Sequence, residues 1–165
     1  MRGIRGGLSG QRITVPPALN ARFVPGMVIA SYMPIAGEIN PAPLVKAARA
    51  GGCRIALPHV VDRPTPIRFL AADGRLVAGP FGLTQPAADA EPLTPDIILT
   101  PLVAFDRAGN RLGWGAGHYD RAFAEHPDAW RVGVAWSVQE VDALVPDPWD
   151  VPLHAILTEK EWIEP

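Results

Sequence analysis

Residues 27–57 read MVIASYMPIAGEINPAPLVKAARAGGCRIAL. The two ends, 27–31 (MVIAS) and 54–57 (RIAL), are short, nearly continuous apolar runs. Between them, residues 40–51 offer Asn40 as an N-cap, Pro41 at the first helical position, an Ala/Leu/Lys/Arg body and Gly51 as a stop. This predicts a β-α-β unit. Strands apolar along their whole length belong to a parallel sheet covered on both faces. The same kind of run recurs at 97–100 (IILT), 132–136 (VGVAW) and 155–157 (AIL), so the expected fold class is α/β with a mostly parallel sheet.

Outward from that unit, residues 66–78 (PIRFLAADGRLVA) flank Asp73-Gly74 with alternating runs, which predicts a small antiparallel hairpin. Residues 83–95, rich in Pro, Ala and Thr without periodicity, are expected to cross the surface as an irregular connection. The 165 residues suit one domain, expected over 27–165, and residues 1–26 read as a basic, glycine-rich N-terminal arm. That arm holds Arg2, Arg5, Arg12 and Arg22 and no acid.

Composition narrows the function. With 48% hydrophobic and 19% charged residues, the chain can bury enough apolar surface to order itself. Fifteen basic and 17 acidic residues leave a net charge of −2, which provides no global field for nucleic acid or an anionic membrane. No apolar stretch approaches the roughly 20 residues of a membrane helix. The single cysteine, Cys53, cannot form an internal disulfide, so a cytoplasmic location is expected; a monomer is the expected oligomeric state.

The densest cluster of unusual residues is 106–119, DRAGNRLGWGAGHY, between the 97–100 strand and a helix expected over 119–125. Glycines at 113, 115 and 117 free backbone N–H groups to converge on an anion, the helix start adds the positive end of its dipole, and Arg111 supplies a forked donor. The G-x-G-x-G spacing fits neither the dinucleotide fingerprint nor the P-loop, and on spacing alone a plain turn-rich connection explains it equally well. Asp120 follows in the first helical turn, where it either complements the dipole or joins phosphate oxygens through Mg²⁺.

Residues 99–121, LTPLVAFDRAGNRLGWGAGHYDR, resemble the signature of the 5-formyltetrahydrofolate cyclo-ligase (methenyltetrahydrofolate synthetase) family. Matches follow the family order at 32–41 (YMPIAGEINP), 55–58 (IALP), 79–86 (GPFGLTQP) and 138–159 (VQEVDALVPDPWDVPLHAILTE). The resemblance implies a three-layer α/β/α sandwich and ATP- and Mg²⁺-dependent closure of 5-formyltetrahydrofolate to 5,10-methenyltetrahydrofolate through a phosphorylated formyl group. It assigns ATP to Arg111, Gly113, Trp114, Gly115, Ala116, Gly117 and Tyr119, with Arg111 and Tyr119 closest to the chemistry. Glu38, Met33, Trp114 and His118 fall on the folate side, with Tyr32 as a further wall and Phe81 read chiefly as packing. Asp120 and Asp150 fall on magnesium positions. The implied partners are the folate and ATP alone.

Departures from the pattern are Ala116 for a lysine or glycine, His118 for an aromatic, Gln85 for a glutamate and His154 for an aspartate. The last two remove negative charge expected near the site. Family members also open with a basic helix that holds nucleotide phosphates. Residues 1–20 carry Gly3, Gly6, Gly7, Gly10 and Pro16-Pro17, which oppose such a helix; Arg2 and Arg5 are either substitute clamps or part of a remnant arm, and the ordering cost of four glycines in ten residues favours the remnant. A non-catalytic folate- or nucleotide-binding protein with a degenerate ATP site is therefore the alternative.

Overall fold

The computed structural model describes residues 11–35 and 37–165. Along the chain run α1 (Pro17–Asn20), β1 (Val28–Ala30), α2 (Ala42–Ala50), β2 (Arg54–His59), β3 (Arg68–Ala71), β4 (Leu76–Ala78) and β5 (Thr84–Pro86). There follow β6 (Ile97–Pro101), β7 (Ala104–Phe105), β8 (Arg111–Leu112), α3 (His118–Glu125), β9 (Trp130–Val134), β10 (Ala155–Leu157) and β11 (Trp162–Ile163). Seven strands form one sheet in the order β11-β10-β9-β6-β1-β2-β3. The inner five are parallel, and β3 and β11 close the edges antiparallel.

Strand alternation divides the core into two layers. Ile29, Ile97, Leu99, Val132, Val134 and Leu157 point to one face, where they meet Leu19, Phe23, Leu44 and Ala48. Ala30, Ile98 and Ile156 point to the other, against Ala122 and Phe123 of α3. Both faces of the parallel strands are thus covered, as the apolar runs required, and the fold is an α/β/α sandwich. The N-cap of α2 is Pro41, one residue later than expected, because its carbonyl takes the first helical bond, from the Val45 N–H at 3.0 Å; Asn40 Oδ1 braces the entry by accepting from the Ala42 N–H at 3.0 Å. At its other end Gly51 lets the chain pass the Phe23 carbonyl, which a Cβ there would meet at 2.6 Å.

Three expectations need correction. Asp73-Gly74 turns the chain without making a hairpin: β3 pairs with β2, and β4 pairs with β5. A two-residue type I′ turn needs positive φ at both central residues, and neither Asp73 nor Gly74 adopts it. The 83–95 connection likewise contains β5, whose Gln85 is buried and bonds both the N–H (2.9 Å) and the carbonyl (3.1 Å) of Val60. The third concerns the arm: its described part contributes Ile13, Leu19 and Phe23 to the core, so the packed unit begins before residue 27. The arm's remaining residues, 1–10 with Arg2 and Arg5, lie outside the described residues.

Within the parallel set the order is β2-β1-β6-β9-β10, so the chain winds outward in opposite directions from β1 and β6. Loops leaving the carboxyl ends of these two strands must part, and the gap between them is where sheets of this kind bind ligands.

Candidate active site

The gap holds a cavity of about 720 Å³. From the β1 side come Tyr32, Met33 and Glu38; from the β6 side come Pro101, Arg111 and residues 113–120; from the β9–β10 connection come Asp147, Trp149 and Asp150. Every described residue assigned to ATP, folate or metal from the sequence therefore lines one cavity.

The long glycine segment divides in two. Residues 106–110 form the turn of a β7–β8 hairpin, in register Ala104↔Leu112 and Phe105↔Arg111. Residues 113–117 are the loop that follows, held through its carbonyls by Arg63 Nη2 on Gly115 (3.2 Å) and Arg121 Nη2 on Ala116 (3.3 Å). Gly115 (φ +91°) and Gly117 (φ +71°) occupy the left-handed region, and Gly117 caps α3. The N–H groups of Gly113, Gly115, Ala116 and Gly117 have no protein acceptor among the described residues. Backbone donors left open beside a cavity are the requirement for an anion cradle.

Arg111 and Asp120 are paired. Arg111 Nη2 donates to Asp120 Oδ1 at 2.7 Å, with side chains 7% and 16% exposed, and Asp120 Oδ1 also accepts from Val151 N–H at 3.3 Å. Burial lowers the Arg111 pKa, opposed by the negative charge of Asp120. Asp120 is thus held by the hairpin rather than standing exposed at a helix start. The Arg111 fork is partly committed, and its Nε is buried with no hydrogen-bond partner among the described residues. Asp150 closes its own turn, accepting from Asp147 N–H at 2.8 Å, and lines a side pocket of about 90 Å³ with Asp120 and Arg111.

Across the cavity, Glu38 accepts from Trp114 Nε1 at 3.3 Å and from Ile35 N–H at 3.1 Å. Tyr32 is buried and donates to the Ile39 carbonyl at 2.7 Å. Burial pushes the hydroxyls of Tyr32 and Tyr119 far up, with the charge of Glu38 adding to both. Both are therefore phenols at neutral pH, and Tyr119 can donate a hydrogen bond but is not a base. The His118 ring is tethered through Nε2 to the Asp62 carbonyl at 3.0 Å.

Phe81 departs from expectation. It is 63% exposed on the cavity rim, not packed, and is the one non-glycine with positive φ (61°) among the described residues. His154 bonds the Arg131 N–H at 2.9 Å and stacks on Trp130, away from the cavity, so its exchange for aspartate alters no cavity wall. Gln85 stands behind the wall, bracing Val60. Reading the sequence missed Trp149, Asp147 and Arg63. Trp149 adjoins Asp150, a signal that was available, whereas Arg63 becomes visible only once the end of β2 is known to border the gap.

Fold and site together define an α/β protein with a switch-point crevice built around a glycine loop. A family model described as the 5-formyltetrahydrofolate cyclo-ligase family matches residues 18–159. The chain belongs to that family. It is 34% identical to the 5-formyltetrahydrofolate cyclo-ligase of Escherichia coli (strain K12), covering 91% of this chain and 85% of that one. To the Haemophilus influenzae protein of the same name it is 35% identical, over 78% and 74% of the two chains. Among solved structures, the NMR structure of Aquifex aeolicus 5,10-methenyltetrahydrofolate synthetase matches with a TM-score of 0.73 at 29% identity, covering 99% of this chain and 88% of that one.

Proposed function

We propose that the chain converts 5-formyltetrahydrofolate to 5,10-methenyltetrahydrofolate, with ATP becoming ADP and phosphate and Mg²⁺ required. The reaction balances if the formyl oxygen takes the γ-phosphoryl group with ADP as leaving group, N10 attacks the formyl carbon and gives up its proton, and the oxygen leaves as phosphate carrying that proton. Such a transfer asks the protein for positioning and charge neutralisation more than for proton transfer. The observation that carries the reading is the set of open N–H donors of Gly113, Gly115, Ala116 and Gly117 facing Glu38 across one cavity, with Asp120 and Asp150 beside it.

In this reading the loop N–H groups cradle the nucleotide phosphates, Arg111 is held in place by Asp120, and Glu38 and Trp114 fix the pterin. Bound Mg²⁺ supplies charge neutralisation between phosphate oxygens. No group of three or more His, Cys, Asp or Glu able to hold a metal exists among the described residues. Two carboxylates suit Mg²⁺, which keeps several waters and takes its other ligands from phosphates.

The test is the methenyl absorbance after mixing chain, 5-formyltetrahydrofolate, ATP and Mg²⁺, with each component omitted in turn. Full dependence on all four is expected. Folate binding without absorbance would move the chain to the non-catalytic alternative. Calorimetry with Mg²⁺ alone should show no heat of binding until nucleotide is added.

A further inference from the structure

Charge is unevenly spread around the cavity. Asp120, Asp147 and Asp150 occupy the side built by α3 and the β9–β10 connection. A triphosphate can approach that side only with a bridging cation, and a bare carboxylate is repelled from it. Among the described residues, two arginines line the cavity. Arg111 is buried and committed to Asp120. Arg63 is exposed, in the connection between β2 and β3, on the far side of the switch point from the aspartates.

The backbone around Arg63 is held without its side chain. Arg121 Nη2 donates to the Arg63 carbonyl at 2.7 Å and Arg121 Nη1 to the Pro64 carbonyl at 3.3 Å. His118 ties the Asp62 carbonyl, and Asp62 Oδ1 caps the Thr65 N–H at 2.7 Å. The Arg63 guanidinium makes one contact, from Nη2 to the Gly115 carbonyl at 3.2 Å, and its other donors have no protein acceptor among the described residues. Pro58, Val60 and Ile67 form an apolar wall on the same side.

We propose that Arg63 is a specificity residue that holds a carboxylate of the substrate's glutamyl tail, an inference that rests on the folate reading above. With the pterin at Glu38 and Trp114, the benzoyl ring lies along the Pro58, Val60 and Ile67 wall and the tail reaches Arg63. The flat guanidinium fork matches a carboxylate. The phosphates belong instead with the loop N–H groups and, through a bridging cation, with the three aspartates, while Arg63 meets that loop only at the Gly115 carbonyl and keeps its other donors for the tail.

The experiment compares 5-formyltetrahydrofolate with 5-formyltetrahydropteroate, which lacks the glutamate, in the whole chain and in Arg63→Gln. The variant should bind the tailed compound roughly three- to tenfold more weakly, the range for an exposed charged pair with good fork geometry. The tailless compound and the KM for ATP should not move, and Arg63→Lys should recover part of the loss. Equal loss for both pterins would reduce Arg63 to loop support. A raised KM for ATP would make it a phosphate contact, and no change at all would remove its role; each overturns the proposal. If the unaltered chain binds both pterins but forms no methenyl product, the catalytic reading fails while the tail comparison still stands on equilibrium binding. Failure to bind either pterin overturns both.

Discussion

Residues 106–110 and 113–117 lie three residues apart, both contain glycine, and on composition they read as one loop. In the structure they are opposites. The first is closed on itself: Asp106 accepts from the N–H groups of Ala108 (3.0 Å), Asn110 (3.1 Å) and Leu144 (2.8 Å) and from Asn110 Nδ2 (3.1 Å). Its Gly109 sits against the Leu153 carbonyl, which an added Cβ would meet at 2.7 Å. The second loop has no carboxylate within it, and an added Cβ at Gly117 would meet nothing within 4 Å. Gly109 has backbone pressed against it, whereas Gly117 faces open space. What separates the loops is where their N–H groups find acceptors.

The most damaging way to break this contrast is to unpair Asp120, since that carboxylate joins the hairpin to the helix after the open loop. Asp120→Ala leaves the Arg111 guanidinium buried without its counter-charge, which costs about 3–5 kcal/mol. Denaturant unfolding should show that loss together with loss of ATP-dependent turnover. A variant of unchanged stability would mean that Arg111 finds other partners and that the pair is not what holds the loop.

Next is the glycine of the closed turn. Gly109→Ala adds left-handed strain (φ +89°) to an overlap with the Leu153 carbonyl, and together these should cost about 2–5 kcal/mol. The molecules that remain folded should keep their KM for ATP. Gly117→Ala reverses the pattern. With no overlap it costs about 1 kcal/mol of strain, yet it should raise the KM for ATP several-fold by crowding the cradle. Equal KM values in the two variants would sink the distinction between the loops.

Much of this was legible in the sequence, for reasons that differ by element. β1, β2, β6 and β10 could be read because an interior parallel strand is apolar on both faces and leaves a continuous run. β9 begins two residues earlier than the run 132–136 implies, because Trp130 and Arg131 at its entrance are only half-buried and carry no such signal. The role of Asp106 was not legible, because its partners Asn110 and Leu144 lie in different segments. Nor was the pairing of Arg111 with Asp120, since a strand end, a loop and a helix start intervene. The site residues converge because their motifs sit after β1, after β6 and before β10. Adjacency of β1 and β6 is a fact of topology that chain order alone does not contain.

The smallest effect separates the loops by pH. Burial works to raise the pKa of Asp106, but the hydrogen bonds from Leu144, Asn110 and Ala108 outweigh it and hold the carboxyl below its ordinary range. A carboxyl whose pKa is lower folded than unfolded stabilises the fold fully above the unfolded value of about 3.9, and the contribution fades as pH falls through the folded value. The stability difference between the unaltered chain and Asp106→Asn should therefore be flat from pH 7 to 5 and shrink below about pH 4, where the unfolded carboxyl takes up its proton first. Gly117→Ala should show no such convergence with the unaltered chain, because its cost is backbone strain and involves no proton. Measured by denaturant unfolding across that range, parallel curves for Asp106→Asn would show that the carboxylate charge is not what closes the turn.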